Sequence, residues 1–119
     1  MTLLIESGAD VRMADYDGIT PLHWAAGYCL PNVARTLLQA GADANASDAY
    51  SYTPLHQASD AGCADVVEIL IQAGAQVNYR SSDGMTALRI AEDKIVVPVG
   101  GHSPYDRVKE ILRLHGGTL

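Results

Sequence analysis

One short motif occurs three times along this chain at a fixed spacing of 33 residues. It reads Thr20-Pro21-Leu22-His23, then Thr53-Pro54-Leu55-His56, then Thr86-Ala87-Leu88-Arg89. A second motif keeps the same spacing, as Gly8-Ala9-Asp10-Val11, Gly41-Ala42-Asp43-Ala44-Asn45 and Gly74-Ala75-Gln76-Val77-Asn78. Two motifs with one period predict a stack of structural repeats, in which each unit buries its apolar face on its neighbours.

The residues of each unit predict two short helices joined by a turn. Thr20 suits an N-cap and Pro21 suits the first helical turn, where its missing N–H is not needed. Pro31 can begin a second helix, and Gly41 can end it in the left-handed conformation that glycine adopts at low cost. The segment that follows is rich in Ala, Asp, Asn and Ser, which favours a projecting hairpin-like turn. We therefore expect helices near 21–28, 31–39, 54–61, 64–72, 87–93 and 104–115, with a stub at 2–7.

The complete pattern resembles the ankyrin repeat over nearly the whole chain. It reads D-x-x-G-x-T-P-L-H-x-A-A, then V-x-x-x-L-L-x-x-G-A-D-x-N. The resemblance implies an all-α ankyrin-repeat solenoid, with stacked helix-turn-helix units and projecting hairpin-like loops. We expect a partial repeat over 1–14, repeats over 15–47 and 48–80, and a C-terminal repeat over 81–119.

Both ends of the array depart from the pattern. Leu3, Leu4 and Ile5 match only the end of a second helix, so the chain is expected to be truncated or to begin within a longer array. The uncovered apolar residues there, Met1 included, favour self-association or fraying. The C-terminal repeat contains a nine-residue insertion near 94–102 that is rich in Ile and Val. We expect the insertion to fold back over the last repeat; the alternative is that it contacts a partner.

Charge and composition exclude several classes of function. The formal net charge is −6 and the pI is near 4.9. Nucleic acid and anionic membranes both require clustered Lys and Arg, so neither is an expected partner. Nothing approaches the run of about 18 apolar residues that a membrane-spanning helix needs.

The histidines and cysteines do not predict a metal or catalytic centre. His23 and His56 occupy one position in successive repeats, and the ankyrin resemblance implies that this histidine hydrogen-bonds within its own turn. Cys29 and Cys63 lie at the inter-helix turns of adjacent repeats, one position out of register. A disulfide needs Cα atoms within about 7 Å, whereas stacked helices are spaced about 8–10 Å, so we expect free, half-buried thiols. A reducing, cytoplasmic setting is the corresponding expectation.

No phosphate-binding loop, nucleophile elbow or zinc signature occurs, so we expect no enzyme activity, cofactor, catalytic residue or metal ligand. The resemblance instead implies protein binding through the hairpin tips and the exposed side of each first helix. The residues expected to bind a partner are Tyr16, Asp17, Ile19, Trp24, Tyr28, Tyr50, Tyr52, Asp60, Asp83 and Met85. Aromatic residues dominate binding hot spots. The alternative is that these tyrosines pack between neighbouring hairpins.

The expected function is therefore an adaptor or inhibitor that holds another protein on an acidic, aromatic concave surface. Its partner should present a basic patch around an apolar centre. Two alternatives stay open: a regulatory ankyrin fragment of a larger enzyme, and a bacterial immunity or antitoxin-type inhibitor. A purely structural spacer is a further possibility.

Overall fold

The computed structural model describes residues 14–94 and 104–118. This part of the chain contains helices and turns and no strand. The helices are α1 (Pro21–Gly27), α2 (Pro31–Gln39), α3 (Pro54–Ala61), α4 (Ala64–Gln72), α5 (Ala87–Glu92) and α6 (Pro104–Leu114). Each begins at the predicted residue and ends within one residue of the predicted end. The predicted stub helix at 2–7, the apolar N-terminal residues and the insertion beyond Lys94 lie outside the described residues.

The helices form two layers of a stack. The first helices α1, α3 and α5 pack side by side, and the second helices α2, α4 and α6 pack behind them. We call the pairs α1/α2, α3/α4 and α5/α6 the first, second and third units. Equivalent residues of the three units form continuous rows in the core: Leu22, Leu55 and Leu88 in one layer and Leu37, Leu70 and Leu112 in the other, all buried. The fold is thus an all-α repeat solenoid, as predicted.

A threonine caps the first helix of each unit. The Oγ1 atoms of Thr20 and Thr53 accept the backbone N–H groups of His23 and His56. In return, Nδ1 of each histidine accepts the backbone N–H of its threonine, at 3.0 and 3.1 Å. These bonds satisfy backbone donors that a helix start otherwise leaves unpaired. The prediction that the histidines stabilise their own turns is confirmed.

Polar contacts also join each unit to the next. Nε2 of His23 lies 2.8 Å from the carbonyl oxygen of Tyr52, in the second unit. Asn45 donates to the carbonyl of Gly74 and accepts from the backbone N–H of Gln76. The histidine contact lies at the start of the first helices, and the asparagine contacts lie after the second helices. Together they fix the spacing between successive units.

Cys29 and Cys63 form a disulfide with a Cα–Cα distance of 5.5 Å, so the prediction of free thiols was wrong. That prediction used the spacing between helix axes, but both cysteines lie in turns. Cys29 follows α1 with a positive φ of 55°, and Cys63 caps the start of α4. The Cα atoms of these two turns are therefore closer together than the axes of stacked helices, which are about 8–10 Å apart. The cysteines consequently give no argument for a reducing compartment. Among the described helices, none has the length and apolar character needed to cross a membrane.

Candidate functional site

Backbone hydrogen bonds close a turn ahead of each unit, over residues 15–19, 48–52 and 81–85, and we call these turns the first, second and third hairpins. A shallow cavity opens between the first hairpin and the first helices of two units. Its volume is about 260 Å³, and its lining residues, which we call the aromatic pocket, are Ile19, His23, Trp24, Gly27, Tyr28 and Gln57. The structure therefore brings together three of the predicted binding residues, namely Ile19, Trp24 and Tyr28. Gln57 was not predicted as a binding residue. A signal for it existed, since it occupies the repeat position of Trp24, 33 residues later.

Two aromatic rings form one wall of the pocket. The rings of Trp24 and Tyr28 are stacked, with centroids 5.3 Å apart and planes 8° from parallel. Residues four apart on a helix lie on the same face, so the end of α1 brings the two side chains together. Trp24 is 46% exposed and Tyr28 is 65% exposed. The pair thus presents a large aromatic surface to solvent.

Exposed tyrosines also lie on the hairpins beside the pocket. Tyr16 is fully exposed on the first hairpin, and Tyr50 is 68% exposed on the second. Backbone bonds hold the hairpins together, because Ala49 donates its N–H to the carbonyl of Asp17 at 2.8 Å. In both of these turns an aspartate accepts a backbone N–H: Oδ1 of Asp15 accepts that of Asp17 at 2.9 Å, and Oδ1 of Asp48 accepts that of Tyr50 at 2.8 Å. The tyrosines therefore project from hydrogen-bonded turns.

Tyr52 has a different environment from the other predicted tyrosines. It is half-buried, and its ring lies 5.1 Å from the ring of His56. Burial raises the pKa of the Tyr52 hydroxyl, and the negative charge of Asp60 adds to the effect. Tyr52 therefore packs on the histidine of its own unit and presents less of its side chain to solvent than Tyr16 and Tyr50 do. Ile19 and Met85 are also half-buried, and the Met85 carbonyl accepts a hydrogen bond from His56.

The predicted acidic residues fall into two groups. Asp60 forms an ion pair with Lys94, and its backbone carbonyl accepts the Tyr105 hydroxyl at 2.9 Å. The hydrogen bond to Asp60 raises the pKa of Lys94. Asp17 and Asp83 are exposed on the hairpins and form no ion pair within the described residues. Asp60 therefore links two units, whereas Asp17 and Asp83 are exposed, and the Arg80 side chain donates to the carbonyl of Gly84 beside Asp83.

Stacked helix pairs with projecting turns define a helical repeat protein of the kind that presents a continuous surface along one layer. A family model described as ankyrin repeats (3 copies) matches residues 1–81. The chain belongs to the ankyrin repeat family, whose repeats are protein–protein interaction modules. No curated protein matches the chain.

Proposed function

We propose that this chain is an adaptor or inhibitor without catalytic chemistry of its own. It binds one protein partner on the surface formed by the aromatic pocket and the adjacent hairpin tips. The observation that carries the proposal is the group of four large aromatic side chains exposed together: Tyr16, Trp24, Tyr28 and Tyr50. Most of the leucine and valine side chains on the described helices are buried, so the core does not require these rings.

Exposed aromatics in a group favour binding for an energetic reason. Each ring keeps a large apolar area in water, and a partner that covers it recovers the free energy of burial. A hydrogen-bonded hairpin or helix end also lowers the backbone entropy lost on binding, because its main chain is already ordered. The stacked pair of Trp24 and Tyr28 therefore suits the centre of an interface, with Tyr16 and Tyr50 at its edge.

The charges beside these rings favour a basic partner. Asp17 and Asp83 lie on the hairpins without ion pairs in the described parts of the chain, so a partner's Lys or Arg can approach them. Such exposed charges act mainly on the rate of association and are screened by salt. The proposed partner therefore presents basic residues around an apolar centre.

A library of displayed small proteins, selected against this chain, tests the proposal. Selected binders should lose about thirtyfold or more in affinity on Tyr50→Ala or Trp24→Gln, since a hot-spot truncation costs about 2 kcal/mol or more. Glutamine is the residue that the second unit has at the position of Trp24. Arg107→Ala, on the exposed side of α6, is the matched control and should change nothing. If the binders keep their affinity for both aromatic variants and lose affinity for the α6 variant, the proposed surface is wrong.

A further inference from the structure

The aromatic pocket results from three departures of the first unit from the other two. At equivalent positions the three units have Trp24, Gln57 and Ile90; Gly27, Asp60 and Asp93; and Tyr28, Ala61 and Lys94. In the later units the aspartates of the second set pair with Lys94 and Arg89. In the first unit a glycine leaves that space open, and two aromatic rings border it.

The part of the chain that builds most of the pocket is anionic. Residues 14–34 contain Asp15 and Asp17 and no Lys or Arg. Oδ1 of Asp15 accepts the backbone N–H of Ile19 at 3.0 Å, so a carboxylate lies next to a residue of the pocket wall. A cationic group entering the pocket is attracted by both aspartates and meets no cation among the lining residues.

The polar atoms of the pocket also favour a hydrogen-bond donor. Both ring nitrogens of His23 are used, by Thr20 and by the carbonyl of Tyr52. The side-chain amide of Gln57 makes no hydrogen bond within the described residues, and its Oε1 lies 3.7 Å from where a Cβ on Gly27 would be. The pocket thus combines an aromatic wall with the unused amide acceptor of Gln57.

We propose that the aromatic pocket binds an arginine side chain of the partner protein. This inference rests on the proposed function and specifies its central contact. The guanidinium plane stacks on the Trp24–Tyr28 pair, its N–H groups donate to Oε1 of Gln57, and its methylenes contact Ile19 and the open face at Gly27. Arginine suits the site better than lysine, because a planar, weakly hydrated guanidinium stacks on aromatic rings and donates sideways at once. A purely apolar side chain would leave the Gln57 acceptor unpaired.

Trp24 is the only tryptophan in the chain, so its fluorescence and its indole N–H resonance report on the pocket directly. The probe is N-acetyl-arginine amide, with the amides of N-acetyl-citrulline, N-acetyl-lysine and N-acetyl-leucine as comparisons. We expect saturable binding of the arginine probe, and citrulline about tenfold weaker, as loss of a cation–π contact of about 1.4 kcal/mol implies. Equal binding of citrulline or leucine, or no saturation with arginine up to its solubility limit, would overturn the proposal. Lysine binding as tightly as arginine would overturn the stacking geometry on which it rests.

Gly27→Leu supplies the blocking variant. A Cβ at this position makes an ordinary contact with Gln57, and leucine is a better helix former than glycine, so the variant should fold with an unchanged or higher urea midpoint. We expect it to abolish binding of the arginine probe, whereas Arg107→Ala, on the exposed side of α6 and outside the pocket, should leave binding unchanged. Undiminished binding to Gly27→Leu would place arginine elsewhere and reject the site. If the arginine probe does not bind the pocket but displayed binders still lose affinity for Tyr50→Ala, this inference is wrong and the proposed function stands.

Discussion

Nε2 of His56 lies 2.8 Å from the carbonyl oxygen of Met85, so a side chain of the second unit holds the turn that precedes the third. Nδ1 of the same ring accepts the backbone N–H of Thr53. Because a carbonyl can only accept and Thr53 N–H can only donate, the neutral ring carries its proton on Nε2. Protonating Nδ1 would place its N–H opposite the backbone N–H of Thr53, so two donors would face each other.

This arrangement predicts a loss of stability in mild acid. Burial lowers the pKa of His56 below its ordinary 6.5, against the opposing effect of the Met85 hydrogen bond. The unfolded chain therefore binds a proton at a higher pH than the folded chain, and stability falls as pH drops below about 6.5. Urea midpoints measured from pH 7.5 downward should show this fall, and His56→Gln should flatten it. An equal pH slope in both proteins would show that other groups cause it.

The helices and their caps could be predicted because their signals are local. Thr20, Pro21 and Gly41 each act within one turn of the backbone, and the repeat confirms each signal at a second site. The disulfide could not be predicted in this way, because it depends on a left-handed backbone conformation at Cys29. The equivalent residue of the second unit is Gly62, which has the same conformation. The pairing of Asp60 with Lys94 likewise requires two units to be stacked in register. The exposure of Trp24 and Tyr28 could be predicted, because repeat position alone identifies the exposed side of a first helix.

Breaking the disulfide should destabilise the fold. The bond joins residues with a sequence separation of 34, and closing a loop of that size stabilises by about 3–4 kcal/mol in the chain-entropy treatment. A reductant should lower the urea midpoint accordingly, with the free thiols counted by alkylation and mass spectrometry. Cys29→Gly is the matched control, because it cannot form the bond and has the residue found at Gly62. The urea midpoint of this variant should not change when a reductant is added. The midpoint should also be higher than that of the reduced wild type, because a positive φ costs residues other than glycine about 1–2 kcal/mol.

A glycine should stabilise the second hairpin. Ser51 has a φ of 60°, and the equivalent residues of the other units are Gly18 and Gly84, with φ of 78° and 76°. Ser51→Gly should therefore raise the unfolding free energy by about 1 kcal/mol. The reverse change, Gly18→Ala, should destabilise by more, because the added Cβ would lie 2.9 Å from the Cα of Asp48. A destabilised Ser51→Gly protein in urea unfolding would contradict this account.

Ser59 offers a test of the cost of an unpaired hydroxyl. It is fully buried in α3, and its Oγ has no hydrogen-bond partner within the described residues. A buried polar group without a partner costs about 1–3 kcal/mol, so Ser59→Ala should raise the unfolding free energy by about 1 kcal/mol. The equivalent residue of the first unit is Ala26, also fully buried. Ala26→Ser is therefore the mirror-image control and should destabilise by a similar amount in urea titrations read by circular dichroism. If Ser59→Ala instead lowers the urea midpoint, the hydroxyl stabilises the fold, and the expectation of opposite effects at Ser59 and Ala26 is wrong.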